Sequence, residues 1–362
     1  MKLRLPLIAL ILACLAAGQA AAADPLRGRV KGLFEPVPES PPPLPGIAVT
    51  PEKLALGKML YFDPRLSESR EISCNTCHNI SMGGTDFRSS SSGHSSQIGG
   101  RRAPTVFNAV FNKTQFWDGR ASDLKEQVVS SVMVFPPALL KARGGPAIAN
   151  PPEVAAAKQH AIEQLKSIPG YVEAFKKAYP SEADPVVYDN VAEAIAVFEA
   201  TLITPDAPFD RWLKGDDTAL SQEQKEGLTL FVDKGCANCH NGINIGGGMF
   251  ARFGTVKKPR PEFLPPEDRG RFAITKAPGD DYVFKVPGLR NVELMAPYFH
   301  SGSAQGLRQA VAIMAETQLG EAFSEDEVNK ITAFLKSLTG RQPEVVLPIL
   351  PPGPPPAARL QP

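Results

Sequence analysis

Apolar residues recur at helical spacing through most of this chain. Residues 153–166, 171–178 and 190–200 each place them at i, i+3 and i+4, as a helix with one buried face requires. Ser324 and Glu327 form a capping box ahead of Val328, Ile331, Phe334, Leu335 and Leu338, which predicts a further amphipathic helix. Pro and Gly interrupt the pattern at 136–137, 144–146, 151–152 and 205–208, where loops are expected. No stretch alternates convincingly as a half-buried strand would. The predicted fold is mainly α with little strand.

The helical pattern also repeats. Leu56-Gly57-Lys58-Met59-Leu60-Tyr61-Phe62-Asp63 is echoed by Glu226-Gly227-Leu228-Thr229-Leu230-Phe231-Val232-Asp233, and each reads as a short amphipathic helix. Two units packed together are expected, over 51–204 and 205–342. Residues 24–50 and 343–362 are rich in Pro and read as an extended N-terminal arm and a polyproline-like tail.

Lys2 and Arg4 precede an apolar run from Leu5 to Ala17, and Ala21-Ala22-Ala23 offers a small-residue cleavage site. Residues 1–23 therefore read as a cleaved export signal. That run is too short to span a membrane, and no other stretch is long and apolar enough. Loss of Lys2 and Arg4 takes the formal net charge from +1 to −1. Such a balance gives no support for nucleic acid or an anionic membrane as partner. Cys14 leaves with the signal. A lipid anchor at Cys14 is the competing reading, which Ile11-Leu12-Ala13 matches poorly.

The other four cysteines fall into Cys74-Asn75-Thr76-Cys77-His78 and Cys236-Ala237-Asn238-Cys239-His240. C-x-x-C-H is the attachment signal of c-type haem: two thiols one turn apart form thioethers, and the adjacent His reaches the iron. Two disulfides, or a zinc site of four thiolates, are the competing uses. Neither explains the histidine after each pair. Each of the two units is thus expected to be cytochrome c-like and to carry one covalent haem c.

Each iron needs a partner beyond His78 or His240, or an open site, and that choice sets its potential. Met249, Met295 and Met314 are candidates in the second unit. Met249 follows His240 too closely, whereas Met314 precedes the closing helix, where a cytochrome c presents its ligand. A core role is the alternative for Met314. Among the remaining histidines, His160 has the character of an exposed helical residue. His94 lies in a Ser-Gly-rich loop over 89–100, from which it could bind iron and let go.

At this point the chain resembles the bacterial dihaem cytochrome c peroxidases over nearly its whole mature length. The resemblance rests on residues 73–86, 103–120, 167–175, 198–217, 235–247, 289–302 and 310–320. It implies that the first unit carries the low-potential peroxidatic haem, with His94 as distal ligand. The second carries the high-potential, electron-transferring haem, with Met314 opposite His240. It implies further that Trp117, in Gln115-Phe116-Trp117-Asp118-Gly119-Arg120, stands between the haems and assists electron transfer. A packed core indole is the alternative. The family's acid–base pair maps onto Gln127 and, through Asn150-Pro151-Pro152-Glu153-Val154, onto Glu153. An insertion over 128–144 lies between them, and Glu153 also suits the first turn of a helix. The family's interdomain calcium would use carbonyls at Met295 and Pro297. Its Asn ligand is replaced here by Arg102, which cannot ligate a cation. Weak calcium binding, or an arginine standing in for the metal, is therefore expected.

The implied activity is reduction of hydrogen peroxide in the periplasm, with electrons from a small cytochrome c or blue copper protein, by a homodimer. An electron carrier with both irons permanently six-coordinate is one competing reading. A dihaem oxidase that modifies another protein is the other. Relatives with that second activity have Tyr where this chain has Met314.

Overall fold

The computed structural model describes residues 24–67, 69–92, 98–130 and 152–353, apart from the side chains of 152–154. The predicted signal, His94, most of the 128–144 insertion and the end of the tail lie outside the described residues. The chain runs through α1 (Pro25–Val30), α2 (Pro51–Phe62), α3 (Cys74–Cys77), α4 (Leu124–Val129), α5 (Pro152–Lys166), α6 (Pro169–Ala178) and α7 (Tyr188–Ala200). It continues through α8 (Pro208–Leu213), α9 (Gln222–Asp233), β1 (Phe250–Arg252), α10 (Phe272–Thr275), β2 (Val283–Lys285), α11 (Leu307–Met314) and α12 (Glu325–Lys336). Among the described residues the only sheet is the antiparallel pair β1–β2, with Phe250 opposite Lys285. The fold is mainly α, as the apolar spacing predicts.

Two main apolar cores form. One gathers Leu56, Leu60, Tyr61, Phe175, Ile195 and Phe198 with their neighbours from the first half. The other gathers Phe209, Trp212, Phe231, Phe334 and Leu338 from the second half, joined by Val30 and Phe34. Each is centred on a helix crossing of the same construction. α2 packs on α7, and α9 packs on α12. A Cβ added to Gly57 would lie 1.7 Å from the Ala194 carbonyl oxygen, and one added to Gly227 would lie 1.9 Å from that of Lys330. Four residues further along each helix, aromatic rings meet: Tyr61 with Phe198 at 5.1 Å and Phe231 with Phe334 at 5.2 Å between centroids. The Ser324 capping box and the buried stripe of α12 are as expected.

The N-terminal arm departs from a plain extended segment by opening on a helix, whereas the tail over 343–353 holds no regular element. Asp24 caps α1 and Pro25 opens it, a position where the missing N–H costs nothing. α1 then lies against α9 in the second unit. Val30 and Val37 are fully buried, and the Gly242 N–H donates to the Leu33 carbonyl at 2.7 Å. At the other end the tail crosses to the first unit. Val345 packs on that core, and Arg65 Nη1 donates to the Pro351 carbonyl at 2.9 Å.

Candidate functional site

In the first unit α3 is a single turn whose ends are Cys74 and Cys77, with Thr76 Oγ1 accepting the Ser73 N–H at 3.0 Å. His78 caps it, and its carbonyl accepts from Tyr61 at 2.6 Å, which anchors the turn to α2. His78 Nδ1 lies 2.9 Å from the Pro104 carbonyl. A carbonyl can only accept, so Nδ1 carries the proton and Nε2 keeps its lone pair for a metal. Burial pulls the imidazole toward its neutral, ligating form.

The second unit repeats this plan around a short turn over Cys236–Asn238 that ends in Cys239. Burial pushes the His240 pKa down to about 4, against the Ile245 and Pro287 backbone. His240 Nδ1 is buried without a well-formed hydrogen bond. No disulfide joins Cys74 to Cys77 or Cys236 to Cys239. Burial raises every one of them, Cys236 to about 11, which disfavours thiolates. No group of three or more metal-binding side chains gathers among the described residues. The two pairs pack against separate cores, each followed by its own histidine, which fits one haem c per pair rather than one cluster of four thiolates.

Between the units lies a second repeat that the motif reading does not reveal. Asn108 and Asn291 both adopt left-handed backbone, with φ of 59° and 60°. Both donate to one hydroxyl, Thr204 Oγ1, at 2.7 and 2.8 Å. Nine residues beyond each stands an aromatic ring, Trp117 after Asn108 and His300 after Asn291. Each follows a left-handed Phe, with φ of 65° and 69°. Each loop closes with the same bridge, Gln115 with Ala121 and Tyr298 with Ala304. The backbones cross reciprocally: the Arg102 N–H donates to the His300 carbonyl at 2.9 Å, and the Lys285 N–H to that of Trp117 at 2.7 Å. The two rings meet at 6.2 Å. Arg102-Ala103-Pro104 matching Lys285-Val286-Pro287 is the sequence signal for this repeat.

Trp117 is half-buried against the second core, and its Nε1–H donates to the Arg102 carbonyl at 2.9 Å. Arg101 ties Asp118 at 2.7 Å to Asp268 at 2.5 Å, both buried, and so joins the two halves of the chain. Arg102 is 5 % exposed. Its Nη2 donates to the Met295 carbonyl, and its buried Nε has no partner among the described residues. Burial lowers its pKa to about 10 while Asp86 and Tyr298 oppose the shift. At the predicted calcium position a guanidinium thus faces the Met295 carbonyl, and Pro297 is buried two residues on.

Met314 ends α11, half-buried against the same core as Trp117 and Cys236. A π turn, Ala315–Leu319, follows directly. Such turns recur at functional sites and shift the register of a helix by one residue. Gln127 is half-buried on α4, which packs on α7, and its side chain has no hydrogen-bond partner among the described residues. Glu153 stands in the first turn of α5, its side chain outside the description. His160 is exposed. Glu199 on α7, which the motifs do not flag, is 5 % exposed, with burial raising its carboxyl to about 8.

Comparison with known proteins gives the family. The family profile described as di-haem cytochrome c peroxidase matches residues 51–218. Cytochrome c551 peroxidase of Pseudomonas aeruginosa is 51 % identical over 91 % of this chain and 91 % of its own length. Cytochrome c peroxidase Ccp of Escherichia coli is 44 % identical over 84 % of this chain and 61 % of its own. Methylamine utilization protein MauG of Methylorubrum extorquens is 34 % identical over 87 % and 86 %. In fold, the chain is similar to the crystal structure of a MauG-like protein associated with microbial copper homeostasis. The TM-score is 0.69 at 24 % identity, over 84 % of this chain and 95 % of that one.

Proposed function

We propose that this chain, which belongs to the di-haem cytochrome c peroxidase family, reduces hydrogen peroxide to water with two electrons from a small cytochrome c or blue copper protein. The observation that carries the reading is the duplicated C-x-x-C-H unit, with no disulfide in either pair and a buried, neutral-leaning histidine after each, beside an interface that holds Trp117. Cys74 with Cys77 and Cys236 with Cys239 would each hold one haem c, and the pair would supply the redox chemistry that peroxide reduction needs, one centre for peroxide and one to store an electron. Peroxide, two electrons and two protons give two waters.

The chain's own residues divide the work. His78 and His240 are the proximal ligands, and the Pro104 carbonyl fixes the tautomer of His78. Met314 is proposed as the second ligand of the C-terminal centre, a choice that raises its potential. His94 is proposed as the detachable second ligand of the haem that Cys74 and Cys77 would hold. Glu153 would serve as the acid–base group that moves a proton between the two oxygens of peroxide, with Gln127 orienting it. Trp117, hydrogen-bonded to Arg102 and packed on the second core, lies on the route between the units. The Arg102 guanidinium stands in for the family's calcium. We place the protein in the periplasm, exported through its N-terminal signal, and as a homodimer.

Absorption and EPR spectra before and after one-electron reduction test the reading. One centre should keep its low-spin ligand set while the other turns high-spin and then binds cyanide. Reduced cytochrome c should be oxidised by peroxide only after that change. Two permanently low-spin centres without turnover would make the protein an electron carrier. Turnover from full oxidation on another protein would make it a protein-modifying oxidase.

A further inference from the structure

Lys285 closes β2 with its side chain 6 % exposed, yet its ammonium makes no hydrogen bond and no ion pair among the described residues. Burial pushes its pKa down to about 8, although Asp118 opposes the shift. Asp118 is already engaged by Arg101 at 2.7 Å and Arg120 at 2.9 Å. A buried ammonium requires acceptors and a counter-charge. The described residues supply no acceptor, and the one carboxylate whose charge reaches Lys285, Asp118, is already shared by two guanidinium groups.

The interface repeat indicates where the missing anion belongs. Lys285 stands two residues before Pro287, as Arg102 stands two before Pro104, the acceptor for His78. Gly246 brings Pro287 close to His240: an added Cβ would lie 2.3 Å from the Pro287 carbonyl oxygen and 3.3 Å from His240 Nδ1. Lys285 thus belongs to the loop that lines the second proximal histidine. Its N–H is fixed to the Trp117 carbonyl at 2.7 Å. The neighbouring Phe284 stacks on His300 at 4.1 Å, and successive strand residues face opposite ways. Lys285 is therefore directed away from His300. Its counterpart Arg102 reaches the Met295 carbonyl, but Lys285 has no such acceptor.

We propose that Lys285 receives a propionate carboxylate of the porphyrin attached at Cys236 and Cys239. The contact is a charge-assisted hydrogen bond. It makes Lys285 a positioning and potential-setting residue: the propionate is fixed relative to the Trp117 backbone, and cancelling the carboxylate's charge favours the reduced iron. The proposal rests on the two-haem reading, which haem content by pyridine haemochrome and intact mass tests first.

In the holoprotein Lys285→Met, the midpoint potential of the second centre should fall while the first keeps its value. Lys285→Arg should stay near wild type. The wild-type protein supplies a readout that needs no variant. Its resonance Raman propionate bending band should shift on exchange into D2O, and Lys285→Met should reduce that shift. An unchanged second potential with both haems attached overturns the proposal. So does a fall confined to the first centre, or a wild-type band indifferent to D2O. A chain that carries fewer than two haems defeats the two-haem reading instead.

Discussion

Arg102 is a cation that the fold has buried without a carboxylate in ion-pair reach among the described residues, bonded through Nη2 to a carbonyl oxygen. A divalent cation and a guanidinium compete for the same oxygen, and the charge already present repels the metal. Calorimetry on chelated protein should therefore show no tight Ca2+ uptake. Arg102→Asn should open the position to it, with uptake that also raises the melting temperature of the variant. Tight uptake by the wild-type chain would refute the substitution. Glu199 offers a second test at this scale. Burial holds its folded pKa at about 8, above the unfolded value of about 4.3. Its contribution to stability is thus full below the unfolded value and is lost as pH rises through the folded one, at about 1.4 kcal/mol per unit. Glu199→Gln should match wild type in denaturant melts near pH 4. By about pH 9 it should be more stable by about 2–4 kcal/mol. Parallel curves would show that the acid ionises at no cost.

At the scale of elements, the two helix crossings explain why Gly57 and Gly227 recur. Any side chain there would enter the backbone of the partner helix. Gly227→Ala should force α9 off α12 and destabilise the protein by about 1–3 kcal/mol, read as a lower denaturant midpoint. An unchanged midpoint would mean that the helices can part at no cost. These crossings are also where the sequence is most legible, because buried stripes at i, i+3 and i+4 mark it directly. The spacing predicts α7 and α12 as helices. It marks only α12 as a closing helix, since Ala194 and Lys330 at the two crossings share no chemistry. The interface repeat is nearly silent in sequence. Its substance is a pair of left-handed asparagines and backbone hydrogen bonds, carried by little more than Pro104 with Pro287 and Asn108 with Asn291. α1 escapes for a different reason: proline signals an extended chain, yet in a first turn it suits a helix.

At the scale of the whole molecule, the chain begins on one unit and ends on the other. α1 joins the second unit before the first has been built, through Arg27 with Asp217, Lys225 with Asp24 at 3.0 Å, and Phe34 against Phe209 at 5.5 Å. The tail then leaves the second unit and settles on the first, where Pro351 lies against Gly170 and accepts from Arg65. Each end therefore fastens the unit that the other end belongs to, and the ion pair of Arg341 with Glu39 links the two straps. Under the proposed function electrons pass between the units, and two straps across one interface help to hold their separation. Deleting residues 343–362 removes Val345 from the first core and the acceptor of Arg65, a loss of roughly 1–2 kcal/mol from one hydrogen bond and one apolar contact. Calorimetry should show the transition of the first unit lowered by about 2–5 °C, with that of the second unmoved. A transition that keeps its place would mean that the tail lies on the surface without holding it.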